Sequence, residues 1–272
     1  MARTLATVKG LGIVKQAEGD FYEVLQELGR IHLVRTRDEA YARLQTRGAK
    51  KIGQSQGTWT RTGFEYAKGQ LPIIRVTNSR LLNKQLAKRA VQANANGQYF
   101  HTASTAEYEQ SLEKAEADKD KDPAKRRVII LPSRDNFTMD SGDNEVLQAV
   151  LQDRAKPYFE MNGPMTAYLV DKNTVDSQDG TLMTQLWFGS SDGRSDLGGD
   201  CRDLGYVRAR GVFKSAEGAS TQKSSRQKPP YTQRQLNAQL KRLDRLSKGQ
   251  VKVSDLESEF DELAKFFQLL KQ

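Results

Sequence analysis

The stretch from Leu186 to Phe213, LWFGSSDGRSDLGGDCRDLGYVRARGVF, constrains this chain more than any other. It opens on an aromatic strand end, Leu186-Trp187-Phe188, and closes on a strand-like basic return, Val207-Arg208-Ala209-Arg210-Gly211-Val212. Between Phe188 and Arg208 it contains no Lys, Glu, Gln, Met or Trp and is rich in Gly, Ser, Asp and Arg. Small, polar, conformationally permissive residues between two strands predict an exposed surface. Such surfaces bind partners more often than they catalyse.

At 272 residues the chain holds one large domain or two small ones. No apolar run approaches the ~18–20 residues of a membrane span, so no membrane association is expected. The N-terminus, MARTLATVKGLGIVKQ, lacks a hydrophobic signal core, and a cytoplasmic location is the expectation. The single cysteine, Cys201, excludes an internal disulfide and a cysteine-rich zinc site. The two histidines, His32 and His101, sit in no ligand motif, so neither a metal nor a cofactor is expected. A net charge of +9 favours acidic partners, nucleic acid above all, although the charge is spread along the chain.

Periodicity predicts a helix at 20–29, capped by Asp20 and stopped by Gly29, with Phe21, Val24, Leu25 and Leu28 on one face. A strand at 31–36 and a helix at 37–46 follow. The Gly-, Lys- and Gln-rich break at 47–57 marks an organisational boundary, dividing an N-terminal α/β segment, 1–56, from the segment 57–214. Within the latter, strands flank Lys68-Gly69-Gln70, helices cover 78–97 and 105–122, and the apolar run Val128–Leu131 reads as a central strand. Asp143 is the expected cap of a helix running to about Met161, kinked or ended by Pro157. Strands at 164–171 and 180–189 are joined by a polar turn. A linker, 215–230, leads to a C-terminal helical hairpin, 231–272, whose stripe of Phe260, Leu263, Phe267 and Leu270 must dock on the body or on another chain.

Motifs for catalysis are weak. Ser133 in LPSRDNF lacks the G-x-S-x-G frame, and Asp135 and Asp140 read as turn and cap residues. Val8–Lys15 offers only Gly10-Leu11-Gly12, not a phosphate loop. The spacing of Asp192, Asp196, Asp200 and Asp203 fits no standard calcium loop. Arg194, Arg202, Arg208 and Arg210 either neutralise these aspartates or read a ligand carboxylate or phosphate. Trp59 and Trp187 read as core anchors.

The order of Leu131–Phe137, a helix, a strand, Trp187–Ser191 and Ala209–Val212 resembles the second half of a C-type-lectin-type fold. It is similar to the formylglycine-generating-enzyme-like branch, with its LP[ST]-x-x-x-[FW], W-[SG]-S and G-[FA]-R-[VG] elements, and within it to the variable proteins of diversity-generating retroelements. The resemblance spans residues 57–214 at most, and the family's chains end near the variable strand, whereas this one continues. It implies an α+β fold with a mixed, mainly antiparallel sheet and flanking helices. In that family AAY codons are rewritten at adenines, which excludes Lys, Glu, Gln, Met and Trp, and the stretch 188–208 obeys that restriction. The implied function is ligand binding and display, not catalysis. The expected contact residues are Trp187, Phe188, Ser190, Ser191, Asp192, Arg194, Ser195, Asp196, Asp200, Arg202, Asp203, Tyr206 and Arg208, facing a protein or other macromolecule. The alternative, from composition, is a nucleic-acid-binding component of a larger assembly, using Lys223, Arg226, Lys228, Arg234, Lys241, Arg242 and Arg245. A homo-oligomer or complex assembled through 231–272 is also expected.

Overall fold

A computed structural model describes residues 2–45, 57–191 and 194–213. The expected linker and C-terminal hairpin, the basic residues 223–245 and Asp192 lie outside the described residues. So does nearly all of the expected boundary at 47–57.

The chain opens with a hairpin, β1 (Arg3–Val8) and β2 (Gly12–Gly19), that was not anticipated. Its signal was Gly10-Leu11-Gly12, weighed above for phosphate binding. Gly10 and Gly12 take φ of 79° and 118°, and Leu11 N donates to the Val8 carbonyl at 3.0 Å. The glycines serve a tight turn.

Helix α1 (Phe21–Leu28) has the expected cap. Asp20 accepts from Glu23 N while Glu23 reaches back to Asp20 N, and Gly29 at φ 72° ends it. The strand expected at 31–36 does not form. His32 N and Leu33 N both bond back to the Gly29 carbonyl, leaving a turn in which Leu33 alone bridges to Gly211. Helix α2 (Thr36–Gln45) follows.

The second half supplies β3 (Thr58–Ala67), β4 (Ile73–Arg75), α3 (Lys84–Ala95), β5 (Phe100–Thr102), α4 (Ala106–Asp118), β6 (Val128–Ile130) and β7 (Phe137–Met139). After these come α5 (Glu145–Leu151), α6 (Ala155–Asn162), β8 (Met165–Tyr168), α7 (Lys172–Asp176), β9 (Thr181–Ser191), β10 (Arg194–Gly198) and β11 (Val207–Phe213). Two expectations are corrected. The run at 128–131 is not central: β6 pairs only with β4, on a side branch of the sheet. The helix expected from Asn144 to Met161 is two helices. Asn144, not Asp143, is the cap, and the break falls at Gln152, φ 56°, rather than at Pro157. Pro157 sits in the first turn of α6, where its missing N–H costs nothing.

Among the described residues the strands form one sheet, ordered β1-β2-β11-β3-β9-β10-β8-β7 along its main path. Only β10–β8 and β11–β3 pair in parallel, so the sheet is mixed and mainly antiparallel, as expected. Strand β2 pairs with β11 from Gly19↔Val207 to Ile13↔Phe213, so residues before and after the 47–57 break share this sheet.

The sheet is covered on both faces. On β9 the period-two alternation sends Leu182, Leu186 and Phe188 into one core with α5 and α6, and Met183 and Trp187 toward another with α1 and α3. Strand β3 does the same with Phe64 and Tyr66 against Trp59. At roughly 25 cal/mol per Å² of apolar surface, this double burial drives the fold.

Candidate functional site

The window singled out in the sequence folds into three parts with different fates. Its first part, β9 into β10, is a hairpin in which Phe188 pairs with Leu197, Gly189 with Asp196, Ser190 with Ser195 and Ser191 with Arg194. Phe188 is fully buried. It lies 5.4 Å from the Tyr158 ring and carries the Arg43 guanidinium 4.6 Å above its face. Asp196 is buried as well. Neither side chain is placed to touch a ligand, which corrects the expectation for both. The cause is the strand alternation itself: the apolar Phe188–Leu197 pair belongs to the core. Ser190, Ser191, Arg194 and Ser195 form the backbone pairs next to the turn of this hairpin.

Trp187 is half-buried and frames the site from within. Its indole is packed over the α-carbons of Gly57 and Gly189, so an added β-carbon would meet the ring at 1.9 Å and 1.8 Å respectively. The expectation of a core anchor holds for Trp59, which is buried with its ring 6.4 Å from Phe21.

The second part, Gly199–Tyr206, is the exposed loop. Its ends are held through backbone atoms. The Gly199 carbonyl accepts from the Tyr66 hydroxyl at 2.9 Å and from Thr184, and Gly199 N donates to the Tyr168 carbonyl at 2.8 Å. Tyr99 donates its hydroxyl to the Asp200 carbonyl at 2.8 Å. Leu204 N donates to Asn94 Oδ1 at 3.1 Å, and its carbonyl accepts from Phe21 N at 2.9 Å. Only Leu204 is buried by its side chain. Arg202, Asp203 and Tyr206 point outward, with Tyr206 65% exposed. Arg202 donates to the Gly97 carbonyl at 3.0 Å and lies 5.9 Å over the Tyr99 ring.

Asp200 and Cys201 are half-buried at the loop's base. Burial, together with the Asp196 charge, raises the Asp200 pKa above the usual carboxylate value. Burial and the neighbouring Asp200 push the Cys201 thiol up to about 12. A nucleophilic cysteine needs the opposite shift. Among the described residues no group of three or more His, Cys, Asp or Glu side chains is placed to hold a metal ion.

The third part is β11. At its start Arg208 Nε donates to Glu18 Oε1 at 3.1 Å, the Tyr206 hydroxyl meets Glu18 Oε2 at 3.2 Å, and Arg3 stands 3.6 Å from Glu18. Desolvation pushes the Glu18 carboxyl up, but hydrogen bonds from Gln16, Tyr206 and Arg208 outweigh it and hold the pKa below 4.5. Further along, Arg210 is buried and bonds Glu39, which also accepts from Arg43 Nε at 2.8 Å. Arg210 is thus a core residue, not a ligand reader.

From the expected set, Asp200 and Arg202 meet Tyr99 at one end of the loop, Tyr206 and Arg208 meet Glu18 and Arg3 at the other, and Asp203 lies on the loop between them. Sequence reading missed Glu18, Arg3 and Tyr99. Glu18 and Arg208 are 190 residues apart, and no local pattern joins them.

A solved structure of a Nanoarchaeota protein, described as accommodating massive sequence variation by the C-type lectin fold, superposes on this chain with a TM-score of 0.54. The identity is 13%, and the match covers 76% of this chain and 100% of the other. This chain has a C-type lectin fold. No protein-family model and no curated protein matches its sequence.

Among the described residues, no helix is long and apolar enough to cross a membrane.

Proposed function

We propose that this chain is a ligand-binding display protein of the diversity-generating-retroelement type, with its recognition surface drawn from residues 189–208. The observation that carries the reading is the loop Gly199–Tyr206, which turns Arg202, Asp203 and Tyr206 outward on a lectin-type scaffold. Its base is fixed by Tyr99 and Tyr66. The residue restriction in 188–208 supports a rewritten surface, and the similarity to a fold that accommodates massive sequence variation in the Nanoarchaeota protein supports it further. The ligand is a protein or other macromolecule. An exposed Tyr and Arg supply rigid contact area while Ser, Gly and Asp adapt around them, as in antibody loops. The chain acts by binding rather than by catalysis.

Sequencing the coding window across a population of close relatives tests this. Substitutions concentrated at the outward positions Arg202, Asp203 and Tyr206 and at the hairpin end Ser190–Ser195, with Phe188, Leu197 and Leu204 kept, are expected. Uniform identity across 188–208 would refute the reading. The net charge of +9 supports a second reading, nucleic-acid binding through residues 223–245.

A further inference from the structure

A cleft of about 810 Å³ lies at the far end of β11 from the recognition loop. It is built by the continuous stretch 29–45, the β1–β2 turn and the end of β11. The 29–34 turn is laced to β11, with Val34 N donating to the Arg210 carbonyl and Val212 N to the His32 carbonyl, each at 2.8 Å. Helix α2 forms a second wall. The β1–β2 turn closes the third side, where the Tyr41 hydroxyl donates to the Lys9 carbonyl at 3.0 Å.

The lining is divided in character. Leu11, Ile31, Leu33, Val212 and Phe213 give an apolar side. The rest of the lining carries four guanidinium groups, Arg35, Arg37, Arg61 and Arg154, against a single carboxylate, Asp38. That carboxylate is taken by Arg35, through contacts of 2.6 Å and 3.2 Å. Arg37 is held by Gln152 at 2.9 Å and Asp153 at 3.1 Å. Arg154 shares Asp153 at 3.3 Å and stacks 4.4 Å over Tyr41.

Arg61 is different. Among the described residues it has no ion-pair partner, and its only side-chain hydrogen bond is a long one, Nη1 to the Ile31 carbonyl at 3.5 Å. Its Nε is buried without an acceptor, and so is that of Arg154. Burial and the nearby Arg35 lower its pKa, Asp38 opposes that shift, and Arg30 adds to it. Buried donors are almost always satisfied in native proteins. An unpaired guanidinium costs free energy that a charge-assisted, bidentate oxyanion contact would return.

We propose that this cleft binds an organic anion. Its carboxylate or phosphate group would sit on Arg61 beside Arg154, with its apolar part against Ile31, Leu11 and Phe213. The cleft's volume falls in the range of small-molecule sites, and its mix of an apolar wall with a few convergent polar groups matches their usual lining. This site is independent of the recognition loop.

The test is calorimetric titration of the full chain at low salt with benzoate, phenyl phosphate and neutral benzamide. Binding of either anion with no binding of benzamide is expected, and the two anions distinguish a carboxylate from a phosphate site. Arg61→Gln is expected to weaken binding about tenfold or more. Ile31 is 67% exposed at the cleft, so charge changes there leave the fold intact. Ile31→Asp is expected to weaken anion binding and Ile31→Lys to preserve or strengthen it, which keeps the test decisive should Arg61→Gln fail to fold. Lys223→Ala/Arg226→Ala is expected to change nothing. The proposal is overturned if neither anion binds tighter than about 10 mM, if the two Ile31 variants bind equally, or if the Lys223/Arg226 change abolishes binding.

Discussion

The indole of Trp187 occupies the space that a side chain at Gly189 would need: a β-carbon there would lie 1.8 Å from ring atom Cη2. Gly189 is therefore fixed by its neighbour rather than by its own backbone angle. Gly189→Ala is expected to destabilise the chain by about 1–3 kcal/mol, read from urea denaturation. Combining it with Trp187→Ala is expected to cost clearly less than the sum of the two single changes, because the collision is gone. Strict additivity would contradict the packing described.

The triad Glu39, Arg43 and Arg210 holds one carboxyl and two guanidinium side chains fully buried. Removing the central carboxylate leaves two guanidinium groups without their shared partner. Glu39→Ala is expected to cost about 3–5 kcal/mol, a large part of a typical domain's stability. Glu39→Gln, which keeps an acceptor, is expected to cost less. A shift of under about 1 kcal/mol for Glu39→Ala would contradict this account of the triad.

Glu18 gives a pH dependence with a defined sign. Its folded pKa lies below 4.5, so the stabilisation it contributes is present above that value and is lost as pH falls through the folded pKa. The Tyr206 ring is expected to stay tethered at neutral pH and to be released under acid. NMR of the Tyr206 ring protons follows this directly. The transition should vanish in Glu18→Gln, and its persistence there would assign it to another group.

Cys201 is expected to resist alkylation. A thiol pushed from 9.0 to about 12 has about a thousandfold less thiolate near pH 8. Iodoacetamide labelling of the folded chain should therefore be far slower than of the urea-unfolded chain. Equal rates would place Cys201 in an open, unperturbed setting.

The competing nucleic-acid reading is separable by salt. If Lys223, Arg226, Lys228 and Arg234 contact phosphates, binding to generic DNA falls steeply with salt, and neutralising all four lowers the slope of log K against log [salt]. Absence of binding at low salt removes that reading.

Much of the fold was legible because its signals are local. The Asp20 cap, the apolar face of α1 and the strands around Lys68-Gly69-Gln70 follow from spacing alone. The hairpin β1–β2 was missed because its two glycines also fit a phosphate-loop fragment, and propensity could not tell turn from cradle. The 31–36 strand was over-read because Gly29 sets a turn that a β-rich composition hides. At the site, the exposed loop was legible from residue types. The burial of Phe188, Asp196 and Arg210 was not, since it depends on which face of the sheet each residue meets. The Glu18 contact was invisible because only the pairing of β2 with β11 creates it.

The loop at Gly199–Leu204 is moored through the carbonyls of Gly199, Asp200 and Leu204 and the amides of Gly199 and Leu204. Every residue other than proline offers the same amide, and every residue the same carbonyl. The scaffold thus checks the path of the chain there without checking its spelling. Exchanging Arg202 for Ser together with Asp203 for Gly is expected to change stability by within about 0.5 kcal/mol each, whereas Leu204→Ala, which empties a buried site, is expected to cost about 2–5 kcal/mol. Thermal unfolding of the two variants measures how far this surface's sequence has been freed from the duty of specifying its shape.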